Sequence, residues 1–213
     1  MGKNGEEIRY DFSFWDAVMG KGSQYERDIC RELSLWWTGG KSDSCFWRTS
    51  NSGGRATVRK KVNKKTDGHY GDIGAVDRVG EILIDVLTIE IKRGYSKHSI
   101  GDIFDVSDSA AEQVFEKFFS QTIRAHENAG SFAWALISKR DRRDAIIVVP
   151  KFFWEMVKHK NMYPRVFPHF TMQFQRNRKD LSRLHGIEIA VGMRLSYFLK
   201  MVTPAAIKEL SLK

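Results

Sequence analysis

Cysteine is scarce: Cys30 and Cys45 are the only two in 213 residues, and they stand in no CxxC spacing. That argues against a disulfide framework or a cysteine-rich zinc site, and both read as ordinary reduced thiols. No stretch approaches the roughly eighteen uninterrupted apolar residues of a membrane span, so no membrane partner is expected. The opening residues, MGKNGEEIRYDF, lack the apolar centre of a secretory signal. The expected address is therefore the cytoplasm, with a nucleoid-associated or viral setting also compatible. No internal repeat or low-complexity tract is visible. Acidic residues are outnumbered, 26 against 35 Lys and Arg, which leaves a net charge of +9. A surplus of this size attracts polyanions.

An apolar fraction of 42% with 12% aromatics suffices for a packed core. The length suits one domain over 1–213, with a core at about 22–150 and an extension over 151–213. The charge is concentrated. Between Lys41 and Lys65 lie Lys41, Arg48, Arg55, Arg59, Lys60, Lys61, Lys64 and Lys65 against one acid, Asp43, so this segment carries +7 of the +9. It is rich in Gly, Ser, Asn and Thr, which predicts a loop or hairpin rather than an amphipathic helix. A basic arm of this kind suits phosphate contact, although a merely solvated charge run has the same composition.

Periodicity supplies the coarse organisation. Phe12, Phe14 and Trp15 are expected to anchor the N-terminal segment. Tyr25, Ile29, Leu33 and Trp36 or Trp37 recur at helical spacing, with Ser23 and Glu26 as a candidate capping box and Gly39-Gly40 as a stop. A short strand is expected at about 45–49. GDIGAVD and ILIDVLTIEIK read as two strands of a hairpin joined at 78–81, the second rich in β-branched residues. A helix is expected over about 109–128, closed by Gly130, with Val114, Phe115, Phe118, Phe119 and Ile123 on its buried stripe. FAWALIS and AIIVVP follow as strands. Beyond Pro150, FFWEMVKH resembles a helix, FTMQF and IEIAV resemble strands, and Thr203-Pro204 starts a last helix. The sum is an α/β fold, a central mixed sheet flanked by helices, with a C-terminal α+β extension.

The sharpest feature is Asp72 on one strand with Glu90-Ile91-Lys92 on the next. Residues two apart on a strand share a face, so Glu90 and Lys92 project together while Ile91 turns to the core. A tight hairpin would bring Asp72 beside Glu90. Two converging carboxylates can hold a hard divalent cation through oxygen, and a neighbouring lysine can orient a water or stabilise charge on a phosphorane-like transition state. Phosphodiester hydrolysis needs each of these residue types.

The pattern GDIGAVD…LTIEIKRG, an Asp followed after 17 residues by ExK, resembles the PD-(D/E)xK nuclease superfamily, with Gly71 in place of the nominal proline. The Gln24-Tyr25-Glu26-Arg27 helix, Arg48 with the 50–54 stretch, Gln121, and Ala129-Gly130 before FAWALI together resemble archaeal-type Holliday-junction resolvases. That likeness covers about residues 22–149 and implies a restriction-endonuclease-like core and metal-dependent cleavage of DNA. It further implies Asp72, Glu90 and the carbonyl of Ile91 as metal ligands, Glu26 as an auxiliary ligand, Lys92 near the attacking water, and Gln121 as a supporting residue near Lys92. The cofactor would be Mg2+, with Mn2+ as substitute. The partners would be branched or duplex DNA and a second copy of the chain. Arg48, Ser52, Arg55, Arg59, Lys60, Lys61, Lys64 and Lys65 are the expected DNA contacts.

Blander readings stand beside these. Lys92 and Glu90 can be a strand-end ion pair, and Asp77 or Asp85 can compete for the metal. The capping box alone explains Glu26, and a surface position explains Gln121. His69 can face a phosphate or be incidental. The expected activity is a magnesium-dependent endonuclease, resolvase-like or restriction-like. The alternatives are a non-catalytic basic DNA-binding protein and an RNA-processing nuclease.

Overall fold

The computed structural model describes residues 21–49, 70–107, 110–158, 167–175 and 187–212. Its first element is helix α1 (Lys21–Thr38), whose buried stripe is Tyr25, Ile29, Leu33 and Trp37, as the spacing predicts. Ser23 lies inside this helix rather than capping it, and Glu26 gives its carboxylate to Arg48, so the capping-box expectation is corrected. Strand β1 (Phe46–Arg48) pairs antiparallel with β2 (Ile73–Ala75) in a two-stranded ribbon.

The expected hairpin between 71 and 92 is replaced by strand, helix and strand. After β2 the chain enters helix α2 (Arg78–Val86) and then strand β3 (Leu87–Arg93). Asp77 starts α2: its carboxylate accepts from the backbone N–H groups of Val79 and Gly80. Such an N-cap satisfies donors the helix itself leaves unpaired. Gly80, Leu83 and Val86 then form a buried face at helical spacing. The run ILIDV carries strand-favouring residues, but burial of one helical face against the core outweighs that weak preference.

Helix α3 (Val114–Ala129) carries Phe115, Phe118, Phe119 and Ile123 inward and ends at Gly130, whose φ of 69° is left-handed. It begins at Val114, later than expected, where Gln113 and Glu116 form a reciprocal cap. It serves as the crossover that parallel pairing of β3 with β4 (Ala133–Lys139) requires. Strand β5 (Ile146–Pro150) runs antiparallel to β4, and helix α4 (Lys151–Val157) follows. Strands β6 (His169–Gln175) and β7 (Ile187–Arg194) complete a five-stranded mixed sheet in the order β3-β4-β5-β7-β6. Helices α5 (Leu195–Met201) and α6 (Pro204–Leu210) close the chain, the latter capped by Thr203 with Pro204 in its first turn.

This is a restriction-endonuclease-like α/β core, a mixed sheet with helices on both faces. Alternation along β4 separates the two sides: Ala133, Ala135 and Ile137 pack with α1 and α2, while Trp134 and Leu136 pack with α3. The segment after Pro150 contributes two of the five strands and therefore extends the central sheet. Phe153 and Trp154 are core, whereas Phe152 is exposed and packs edge-on against exposed Phe132. Among the described residues, no helix is long and apolar enough to cross a membrane.

Candidate active site

Strand β3 lies at one edge of the sheet, and its free side is occupied by the segment leading into β2. The Asp72 N–H donates to the Ile89 carbonyl at 2.9 Å, and the Ile91 N–H donates to Asp72 Oδ2 at 2.7 Å. Tertiary packing of the ribbon on the sheet edge thus brings Asp72 to ExK, with α2 as the detour between them. Thr49 fixes the approach from the other side. Its N–H donates to the Asp72 carbonyl and its hydroxyl to the Gly71 carbonyl. Gly71 has φ +80°, and a Cβ there would stand 2.7 Å from the Ile89 carbonyl oxygen. Proline, held near φ −65°, does not fit this backbone, which accounts for glycine before the aspartate.

Glu90 and Lys92 share the α3 face of β3. Lys92 Nζ donates to Glu90 Oε2 at 2.9 Å, and Gln121 Nε2 donates to the same oxygen at 3.1 Å from α3. The Lys92 ammonium also lies 5.8 Å from the Phe118 ring centre. Gln121 is an exposed residue whose amide reaches the same Glu90 oxygen that Lys92 holds, which sets it beside Lys92. Glu26 on α1 accepts from Arg48 Nε at 2.8 Å. Its pKa is raised, first by burial and also by the charge of Asp72, which joins it electrostatically to the same cluster.

Asp72 and Glu90 are each only 2% exposed. Burial first, and then the Glu90 carboxylate, push Asp72 up from an ordinary 3.8 to about 7. Its Oδ1 is buried without a hydrogen-bond partner. Burial pulls the Lys92 ammonium down, but the charges of Glu90 and Asp72 outweigh it and leave Lys92 raised, hence protonated at neutral pH. Two buried carboxylates, one with an orphaned oxygen, fit the oxygen-donor chemistry of a hard cation that keeps most of its waters. Among the described residues, no group of three or more His, Cys, Asp or Glu forms a ready-made cage.

The rival acids are accounted for. Asp77 caps α2, and Asp85 is an exposed residue of that helix. Both cysteines are free and buried, with thiols pushed up by burial to about 12 for Cys30 and about 11 for Cys45. Ser52, Arg55, Arg59, Lys60, Lys61, Lys64 and Lys65 lie outside the described residues, as do His69, Phe12, Phe14 and Trp15. Sequence reasoning missed Thr49 and Phe118. Thr49 follows Arg48 at the end of a strand, and only its pairing with the Asp72 backbone reveals its part.

No curated protein and no solved structure matches the chain. A family model does: that of the family described as "Phage putative PDDEXK endonuclease" matches residues 18–207. With nearly the whole length matched, and Asp72, Glu90 and Lys92 all inside the match, the chain belongs to this PD-(D/E)xK family.

Proposed function

We propose that the protein is a divalent-metal-dependent DNA endonuclease that hydrolyses phosphodiesters at Asp72, Glu90 and Lys92. The observation that carries this reading is the buried Asp72–Glu90 pair beside a protonated lysine. A pure DNA-binding surface gains nothing from carboxylates at this position, and their mutual repulsion costs stability unless a cation joins them.

Asp72, Glu90 and the Ile91 carbonyl would hold the metal, with Glu26 as an auxiliary ligand. The N–H and C=O of one strand residue point the same way, and the Ile91 N–H faces Asp72, so its carbonyl faces the same edge. Mg2+, or Mn2+ in its place, would polarise the scissile phosphate and lower the pKa of water. The chain's own residues do the rest. Lys92, kept charged by Glu90, presents an ammonium to the developing negative charge on phosphorus oxygens. Gln121 fixes the Glu90 carboxylate, and Thr49 with Gly71 fixes the Asp72 backbone, so the two acids meet a substrate preorganised. Arg48, tied to Glu26, leads into the basic arm that would follow the DNA backbone.

Branched DNA is the substrate this reading favours, cut by a symmetric pair of chains in the manner of junction resolvases. Its support is the Arg48–Glu26 ion pair, which joins the helix glutamate to the start of the basic loop, the two elements that carry that resemblance. The exposed Phe132–Phe152 pair offers apolar surface for self-association. Purified protein is to be incubated with linear, flapped and four-way DNA and with RNA, with Mg2+, Mn2+ or EDTA, alongside light scattering. Metal-dependent cutting that favours the four-way substrate is expected. Cutting undiminished in EDTA would refute the metal role, and a monomer that cuts linear duplex as fast as a junction would remove the resolvase version.

A further inference from the structure

A cavity of about 520 Å³ opens on the α3 side of the sheet, at the end where Lys92 lies, and no catalytic residue proposed above lines it. Its wall is strongly cationic. Arg140, Arg142, Arg143 and Arg194 line it against a single carboxylate, Asp144, with the buried Ser138 hydroxyl among them and Phe115 and Phe170 as apolar surface. Among the described residues, only Arg194 of the four has a carboxylate within ion-pair distance, Asp144 at 3.4 Å. Four arginines thus line one concave surface with a single carboxylate among them. Guanidinium forks match the oxygens of phosphate in geometry and charge.

Its position relative to the candidate active site is set by strand register. Lys92 pairs with Ser138, Ser138 with Ile146, and Ile146 with Arg194. Paired residues of adjacent strands share a face, so one row across the sheet runs from the Lys92 ammonium to the Arg194 guanidinium. Three strand spacings of about 4.8 Å separate them by roughly 14 Å. A nucleic-acid strand laid along that row would present one phosphate at Lys92 and a later one at the arginines.

We propose that this cavity is a second phosphate-binding subsite, which grips the nucleic-acid strand a few nucleotides from the phosphate at Lys92. The inference rests on the nuclease reading above. Three of its arginines lie on the turn between β4 and β5, so a single short segment supplies most of the grip while the rigid sheet sets its distance from the cut. Specificity of this kind fixes register along the backbone and reads no base.

The test uses Arg142→Asn with Arg143→Gln, since Arg142 has φ +58° and asparagine tolerates that backbone. The charge-matched control is Lys151→Gln with Lys200→Gln, two exposed lysines outside the cavity lining. Binding of a short fluorescent DNA is measured by anisotropy across salt concentrations in the Asp72→Asn background, with thermal melting to verify folding. The arginine variant should bind on the order of tenfold more weakly and lose about 0.9 from its salt slope, while the control changes by much less. Single neutral methylphosphonates are then walked along the strand. One position offset from the cut should weaken the parent protein and leave the arginine variant unaffected. Strands with and without a 5′-phosphate identify the source. A loss confined to phosphorylated ends assigns the cavity to a terminal phosphate, and an equal loss assigns it to the backbone. An arginine variant that tracks the control, while the wild type cuts DNA, overturns the subsite alone. A wild type that neither binds nor cuts DNA overturns the nuclease reading and this one with it.

Discussion

Asp72→Asn should stabilise the metal-free protein while abolishing cleavage. Asp72 is buried, its Oδ2 accepts from the Ile91 N–H, and its Oδ1 has no partner. Asparagine keeps an acceptor for Ile91 and places an amide donor, uncharged, beside Glu90. Burial and the Glu90 charge raise the Asp72 pKa from 3.8 to about 7. The folded pKa is thus above the unfolded one, so this group's contribution to stability is complete below about pH 4 and is lost as the pH rises through about 7. At about 1.4 kcal/mol per pKa unit the loss reaches about 4 kcal/mol, and relaxation of the two carboxylates with water entry should leave roughly half of it. A gain of about 2 kcal/mol for the variant at pH 8 corresponds to roughly 4–8 °C in Tm for a domain of this size. Calorimetry in EDTA from pH 4 to pH 8 should therefore show two melting curves that coincide at acid pH and separate as the pH rises. Added Mn2+ should lift the wild-type Tm at pH 8 and leave the variant unmoved, because a ligand stabilises only the state that binds it. A variant that melts at or below the wild type at pH 8 would refute the electrostatic account of the site.

Other expectations follow from the same geometry. Gly71→Ala, with a Cβ 2.7 Å from the Ile89 carbonyl oxygen at φ +80°, should cost about 2–3 kcal/mol and displace Asp72, read as a lowered Tm together with lost cleavage. Lys92→Gln should lower kcat by roughly 100-fold or more while DNA affinity changes little, and a rise in KM with kcat unchanged would count against a role in the reaction. Gln121→Leu should leave the fold intact and lower kcat modestly, because Glu90 loses its donor from α3. Neutralising Arg59, Lys60 and Lys61 together should reduce the salt slope of DNA binding by nearly one per lost contact, and an unchanged slope would mark the segment as solvated only.

The acid-acid-lysine set was legible in the sequence because its parts are local. ExK carries its own geometry, since residues two apart on a strand share a face, and the surrounding β-branched residues announce the strand. The stripes of α1 and α3, the Gly130 stop and the Thr203-Pro204 start were legible for the same reason: each is a short-range pattern. What brings Asp72 to Glu90 was not. A hairpin was the economical reading of 71–92, yet Asp77 caps a helix there and the contact is made by docking the β1–β2 ribbon on the open edge of β3. Local propensity is worth tenths of a kcal/mol per residue, and burying Leu83 and Val86 together exceeds it. Gln121 and Glu26 carried equal weight as surface or cap residues until packing set one against Glu90 and the other against Arg48. The sequence by itself determined which residues carry charge and which periodicity each segment obeys, because both are properties of the chain. Only the tertiary structure decided which charges meet and which are stripped of water. Those depend on contacts between segments far apart in sequence, and no local pattern encodes them.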